Sequence, residues 1–174
     1  MRAFIGCPLS DRERRAIGAW LDVRPLPGWR RVPLANLHLT LQFLGDQPEE
    51  LLMLLARRLR TAILPAACSS RGGRVRPFPA GDAPLLALEL AATDQLVALH
   101  TAIGAMSASL GLPSDSRPFR PHITLARGRG DAPDTTCDIE LDFQEVCVYH
   151  SIHRPGGTRQ YVARECVKLA GQRP

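Results

Sequence analysis

With 174 residues, 45% of them hydrophobic, the chain is long enough for a globular domain with a sizeable core, built as one unit or as two lobes. No apolar run reaches the roughly 18 residues that cross a bilayer, and the opening apolar stretch is too short for a secretory signal, so we expect a cytoplasmic protein. The formal net charge is +5, and Lys168 is the only lysine. Because a guanidinium can bind two phosphate oxygens at once, this composition favours an anionic partner.

The predicted elements follow one another irregularly along the chain. A strand over 2–8 precedes a helix over 10–23, which Ser10 opens with a capping box, and a strand over 36–44 precedes a helix that Asp46 opens. The later elements are strands over 74–79 and 84–91 after a loop over 65–73, a helix over about 93–110, a strand over 120–127, and a hairpin of 137–149 with 158–169. Since helices and strands do not alternate regularly, the sequence predicts an α+β fold and not a doubly wound sheet.

One short motif occurs twice, once in each of two predicted strands. Each copy places a histidine and a threonine two residues apart in an apolar run: His38 with Thr40, and His122 with Thr124. Because residues i and i+2 of a strand point to the same face, each strand carries an imidazole and a hydroxyl on one face and apolar side chains on the other. One His-x-Thr is weak evidence, but the second copy indicates an internal duplication and two halves of one site.

The paired motif resembles that of the 2H phosphoesterase superfamily and, within it, the bacterial and archaeal RNA 2′,3′-cyclic phosphodiesterases, also called 2′-5′ RNA ligases. The resemblance extends to four further segments: Met1-Arg2-Ala3-Phe4-Ile5-Gly6, Pro118-Phe119-Arg120-Pro121, Tyr149-His150-Ser151 and Pro155-Gly156-Gly157. It implies one bilobal domain over 1–174, with two antiparallel sheets related by a pseudo-two-fold, helices outside and a central cleft.

Hydrolysis of a 2′,3′-cyclic phosphate needs a base on one side of phosphorus and an acid on the other, because water attacks opposite the departing ribose oxygen. Two imidazoles with pKa values near ~6.5 can supply both, and two hydroxyls can donate to the non-bridging oxygens. The resemblance implies His38 as general acid, His122 as general base, Thr40 and Thr124 as phosphate-binding residues, and a 2′-phosphomonoester product. A two-fold site could run in either direction, so the acid–base order stays open.

Further candidates for substrate binding surround the two motifs. Arg127 follows the second threonine by three residues, so a regular strand turns it away from the cleft, whereas a bulge would bring it there. Phe119 and Arg120 could border the nucleoside, and Tyr149 and Ser151 could line the cleft. For all five, a core or surface role is an equally good interpretation. The nearby histidines at 150 and 153 belong to no repeated motif and are left out of the site.

Neither motif has a carboxylate or a second histidine at metal-ligand spacing, so the sequence predicts no metal and no cofactor. The five cysteines are scattered, odd in number and never in a C-x-x-C pair, which argues against a disulfide framework. The expected partner is RNA with a 2′,3′-cyclic phosphate end or a cyclic nucleotide, without a membrane or an obligate protein partner. Two alternatives are 2′-5′ joining of RNA ends by the same residues, and a non-catalytic RNA- or nucleotide-binding module.

Overall fold

The helices and strands of the computed structural model follow the apolar periodicity of the chain. The structure describes residues 1–78, 84–113, 118–131, 135–153 and 159–171. In chain order the elements are β1 (Arg2–Pro8), α1 (Asp11–Asp22), β2 (Trp29–Arg31), a 3₁₀ turn (Leu34–Asn36), β3 (His38–Asp46), α2 (Glu49–Thr61), β4 (Cys68–Phe78), β5 (Leu85–Leu90), α3 (Asp94–Ala108), β6 (His122–Gly128), β7 (Thr135–Thr136), β8 (Glu140–Phe143), β9 (Glu145–His153) and β10 (Arg159–Lys168). None of the helices in these ranges is both long enough and apolar enough to cross a membrane.

Within the described residues, the strands pair in the order β10-β9-β1-β3-β6-β5-β4-β7, with β2 also on β6 and β8 on β4. All of these pairings are antiparallel. The two motif strands, β3 and β6, are neighbours at the centre and are joined through a single pair, Leu39 opposite Ile123. The predicted α+β fold with antiparallel strands is therefore confirmed. The two expected sheets are joined into one strand order, and its two halves meet at the motifs.

The two halves repeat one connection. In the first, β1 and β3 are antiparallel neighbours with α1 between them in the chain, and in the second β5 and β6 have the same relation with α3 between them. Each motif strand also carries a β-bulge directly after its threonine, because Leu41 of β3 and Leu125 of β6 have no partner of their own in the adjacent strand. This shared irregularity supports the internal duplication that the repeated motif suggests.

The apolar face of the motif strands forms the centre of the core. Leu39 and Ile123 have no exposed surface, and they belong to the same buried cluster as apolar side chains from α1, α2 and α3. The helices thus cover one face of the central strands and leave the other face to the histidines and threonines. We call the latter the imidazole face, meaning the face of β3 and β6 that carries His38 and His122.

Some predicted boundaries are wrong because strand pairing extends beyond the local pattern. The capping box of Ser10 with Glu13 is present, but α2 begins at Glu49, since Asp46 still belongs to β3, where it pairs with Arg2. The stretch predicted as a loop over 65–73 contains the first half of β4, which pairs with β8. The last hairpin consists of β9 and β10, and the preceding β8 pairs with β4 instead.

One cysteine prediction is also wrong. Cys147 and Cys166 lie directly opposite each other in β9 and β10 and form a disulfide, although 19 positions separate them in the chain. Only the pairing of the two strands brings these sulfur atoms together, so spacing in the sequence could not reveal them. Cys7, Cys68 and Cys137 are buried free thiols that pack as small apolar side chains.

Candidate active site

The four motif side chains lie around the point where the two halves meet. His38 and His122 are the first residues of β3 and β6, and the pair between these strands sets a register in which each histidine faces the position of the other strand's threonine. All four side chains are half-buried, whereas the residues between them are fully buried. The structure therefore brings His38, Thr40, His122 and Thr124 to one face.

The same backbone contact orients both imidazoles. Nδ1 of His38 lies 2.7 Å from the carbonyl oxygen of Asn36, and Nδ1 of His122 lies 2.8 Å from that of Arg120. Because a carbonyl oxygen can only accept, both Nδ1 atoms donate, and Nε2 is left to exchange protons with a substrate. In the neutral ring, Nε2 of His38 accepts from the Thr40 hydroxyl, 3.0 Å away. Each strand thus presents an imidazole with a defined tautomer.

A phenylalanine ring stacks on each imidazole. Phe4 of β1 lies 4.5 Å from the ring of His38 with 27° between the planes, and Phe78 of β4 lies 4.3 Å from that of His122 at 24°. These contacts restrict each imidazole plane and exclude water from one of its faces. The motif pattern did not reveal Phe78, because it reaches His122 only through the pairing of β4, β5 and β6.

Burial lowers the pKa of both imidazoles. Desolvation is the main cause of the pKa of about 4 for His38, and the charges of His122 and Arg127 lower it further, while the hydrogen bond to Asn36 acts in the opposite direction. The pKa of His122 is also lowered, first by desolvation and then by the charge of Arg120. An anion placed between the two rings would favour their charged forms and raise both pKa values.

The bulge at Leu125 decides where Arg127 lies. It shifts the alternation of β6 by one residue, so that Arg127 faces the same side as Thr124, and the charge of Arg127 acts on His38. In β3 the bulge at Leu41 has the same effect on Phe43, which lies opposite Phe4 and is 56% exposed. Phe43 was missed by the motif reasoning, although its spacing from Thr40 is the spacing of Arg127 from Thr124.

Two tyrosines complete the surroundings of His38. The ring of Tyr149 stacks on Phe4 at 5.0 Å and lies 6.3 Å from His38, and burial raises the pKa of its phenol to about 12. Tyr161 of β10 meets His38 edge-on at 5.1 Å. Tyr161 was not predicted, because its position depends on the pairing of β10 with β9.

The other predicted binding residues have partners of their own. Phe119 stacks on His100 of α3 at 4.0 Å and packs against the core, which explains its burial without a nucleoside. Arg120 pairs with Glu89 at 3.0 Å and lies over the Phe78 ring, so it supports the ring that stacks on the second imidazole. Ser151 donates a long hydrogen bond of 3.4 Å to a carbonyl of β1. The segment Pro155-Gly156-Gly157 lies outside the described residues.

Potential metal ligands converge at a different place. Among the residues that the structure describes, Glu145, Cys147 and Cys166 form the group whose ligand atoms approach one another within 4.8 Å. This group does not include either motif histidine, and its two sulfur atoms are bonded to each other.

Comparisons with known proteins agree in sequence and in fold. The model of the family described as the 2′-5′ RNA ligase superfamily matches residues 12–148. A relative named RNA 2′,3′-cyclic phosphodiesterase from Thermus thermophilus is 36% identical over 143 residues, which are 76% of this chain and 71% of the relative. A second relative of the same name, from Escherichia coli, is 31% identical over 174 residues, and the match covers 91% of each chain.

Solved structures share the fold. The crystal structure of TT0787 of Thermus thermophilus has a TM-score of 0.79 at 30% identity and covers 99% of this chain and 100% of that one. The structure of Escherichia coli LigT with 3′-AMP has a TM-score of 0.77 at 26% identity, covering 97% of both chains.

Proposed function

The chain belongs to the 2′-5′ RNA ligase superfamily, and from this premise we propose that it hydrolyses RNA 2′,3′-cyclic phosphate ends to 2′-phosphomonoesters. The observation that carries the proposal is the pair of imidazoles on one face, each with Nδ1 engaged by the backbone and Nε2 left for chemistry. In this proposal the whole of 1–174 acts as one bilobal domain in the cytoplasm, with RNA ends as its substrate.

In the proposed reaction the two Nε2 atoms take and give the protons. His122 takes a proton from water, whose oxygen forms a bond to phosphorus, and the bond from phosphorus to O3′ breaks on the opposite side. His38 gives its proton to the departing O3′, so the product carries a 2′-phosphate and a free 3′-hydroxyl. Thr40 and Thr124 donate to the non-bridging oxygens, where negative charge must be held in the transition state. The two imidazoles supply the acid and the base, so the proposal includes no metal or cofactor.

The order of acid and base depends on the bound phosphate. In the unliganded site the pKa of about 4 leaves His38 neutral near pH 7, whereas a general acid enters the reaction protonated. A phosphate anion beside His38 raises that pKa, because it adds an opposite charge and offsets the charge of Arg127. We therefore keep the order that the resemblance implies, with His38 as the acid. If His122 carried the proton in the complex with substrate, His122 would be the acid and His38 the base. The same two histidines would still be the catalytic pair.

Substrate binding in this proposal uses the side chains that the two bulges turn to the imidazole face. Arg127 would bind a non-bridging oxygen of the phosphate, and the exposed ring of Phe43 offers an apolar surface to the nucleoside. Escherichia coli LigT has been solved in complex with 3′-AMP, a nucleotide of the size that such a site would hold.

Joining of RNA ends is the alternative activity. A ribose 5′-hydroxyl would attack phosphorus in place of water, and O3′ would leave as before. The same four motif residues would therefore form the 2′-5′ bond. Water is far more abundant than a second RNA end, which favours hydrolysis as the main reaction. Incubation with two cleaved tRNA halves would show the extent of joining.

The test is incubation of the purified protein with an RNA oligonucleotide that ends in a 2′,3′-cyclic phosphate, with EDTA present. We expect conversion to a 2′-phosphate end, and no reaction of the same oligonucleotide with a linear 3′-phosphate. A 3′-phosphate product would keep the enzyme class but overturn the choice of O3′ as leaving group. Tight binding of the oligonucleotide without turnover would support the non-catalytic binding module instead.

A further inference from the structure

A basic pocket opens beside the imidazole face, where β2 pairs with the end of β6. Its volume is about 630 Å³, and its lining includes Arg30, Arg127 and Arg129 together with Trp29. We call it the arginine pocket, defined by these four residues. Arg127 belongs both to this pocket and to the surroundings of His38, so the pocket adjoins the site of the reacting phosphate.

Two of the three arginines lie opposite each other in adjacent strands. Arg30 lies directly opposite Arg127 in the pairing of β2 with β6, and like charges at opposite positions of a sheet destabilise it. The neighbouring Arg31 points to the other face, where it pairs with Asp22 of α1. In the described ranges of the chain, the ion pairs involve other arginines and none of the three in the pocket. A bound anion would supply the missing charge.

The backbone holds the wall of the pocket in a tight arrangement. Gly128 at the end of β6 has a φ of 136°, and a Cβ atom there would lie 2.4 Å from the carbonyl oxygen of Gly28. Only glycine permits this approach of the loop before β2 to the end of β6. The side chains of Arg30 and Arg129 therefore extend from a closely packed backbone next to Arg127.

We propose that the arginine pocket binds a second phosphate, the one on the 5′ side of the reacting nucleoside. This inference rests on the proposed function and makes it more specific, since it assigns the substrate class as nucleotides that carry a further phosphate and disfavours a bare nucleoside cyclic phosphate. A planar guanidinium can bind two oxygens of such a phosphate at once. Arg30 and Arg129 would hold the second phosphate, while Arg127 between them and His38 stays with the reacting phosphate. That phosphate is either the phosphodiester of an RNA chain or a terminal 5′-phosphate.

Three substrates separate these possibilities: adenosine 2′,3′-cyclic phosphate, its 5′-phosphorylated form, and the dinucleotide ApA with a 2′,3′-cyclic phosphate end. The variants are R30Q and R129Q, with R57Q on the exposed side of α2 as the control that removes one charge elsewhere. We expect each pocket variant to raise KM for substrates with the second phosphate by about tenfold, because the variant loses a charge-assisted hydrogen bond to that phosphate. The value of kcat/KM for adenosine 2′,3′-cyclic phosphate should stay within about twofold in every variant, which also verifies that each variant is folded.

The outcomes are distinguishable. If R30Q and R129Q raise KM for both phosphorylated substrates, the pocket binds a terminal phosphate as well as a diester. If they raise KM for the dinucleotide alone, the pocket binds the RNA phosphodiester. If R30Q and R129Q change all three substrates equally, or change none, the pocket proposal is overturned and the hydrolytic function stands. If the wild-type protein converts none of the three substrates, the proposed function fails, and this inference fails with it.

Discussion

Replacement of His38 or His122 by alanine is expected to lower kcat for hydrolysis of an RNA 2′,3′-cyclic phosphate by about 10²–10⁴-fold, because each removes one of the two proton-transfer groups. Neither imidazole can replace the other, since the attacking and the departing oxygens lie on opposite sides of phosphorus. The measurement is single-turnover and steady-state kinetics with the same oligonucleotide, accompanied by thermal unfolding of each variant.

The matched control is His153→Ala, which removes an exposed histidine at the end of β9 that belongs to neither motif. We expect this variant to keep the wild-type kcat. Removal of the His38 ring leaves a space against Phe4, so a glutamine at the same position provides a second variant that fills more of the volume. Near-normal kcat in a folded alanine or glutamine variant at either motif histidine would contradict the two-histidine mechanism.

Substitution of Thr40 or Thr124 by valine is expected to lower kcat by about 10²–10³-fold with a smaller change in KM, because one hydroxyl that donates to the transition-state phosphate is lost. Valine has nearly the shape of threonine, so the strand and its neighbours keep their packing. Serine at the same positions keeps the hydroxyl and should restore most of the rate. For Thr40, the valine variant also removes the hydrogen bond to Nε2 of His38.

A control for this pair is Thr101→Val on α3, where an exposed threonine donates to the carbonyl of Val97 within its own helix. This variant makes the same replacement of a hydroxyl by a methyl group, but far from the motifs, and should leave kcat unaltered. Valine variants at 40 and 124 that raise KM and keep kcat would show that the hydroxyls bind the ground state and the transition state equally. In that case the two hydroxyls would contribute to substrate binding but would not selectively stabilise the transition state.

The sequence was most informative where the structure depends on local periodicity. The alternation around His38 and His122 identifies both motif strands and the face of each side chain, and the family resemblance is confirmed by the relatives. Arg127 is an intermediate case. The regular strand period turns its side chain away from the imidazole face, and only the bulge at Leu125 returns it to that face. The sequence contains no separate indication of that bulge, but its recurrence after Thr40 shows that the motif itself carries it.

The parts that could not be predicted depend on which strands become neighbours. Phe78 reaches His122, and Tyr161 reaches His38, only through the strand order. The disulfide arises from the same long-range pairing. Phe119 was a candidate for nucleoside binding because of its place before the second motif, yet α3 supplies its stacking partner. Contacts between distant segments decide each of these positions, and local patterns do not contain that information.

The pH dependence of kcat/KM tests the central claim most directly, because this parameter reports the ionisable groups of the free protein. Two imidazoles that must share one proton predict a bell-shaped profile, whichever ring is the acid. Activity falls below the pKa of about 4 of His38, where both rings are protonated and no base is left. It falls again above the pKa of His122, itself below the ordinary value of 6.5, where both rings are neutral and no acid is left. A profile that changes in one direction only, or that is flat across this range, would contradict acid–base catalysis by the two histidines.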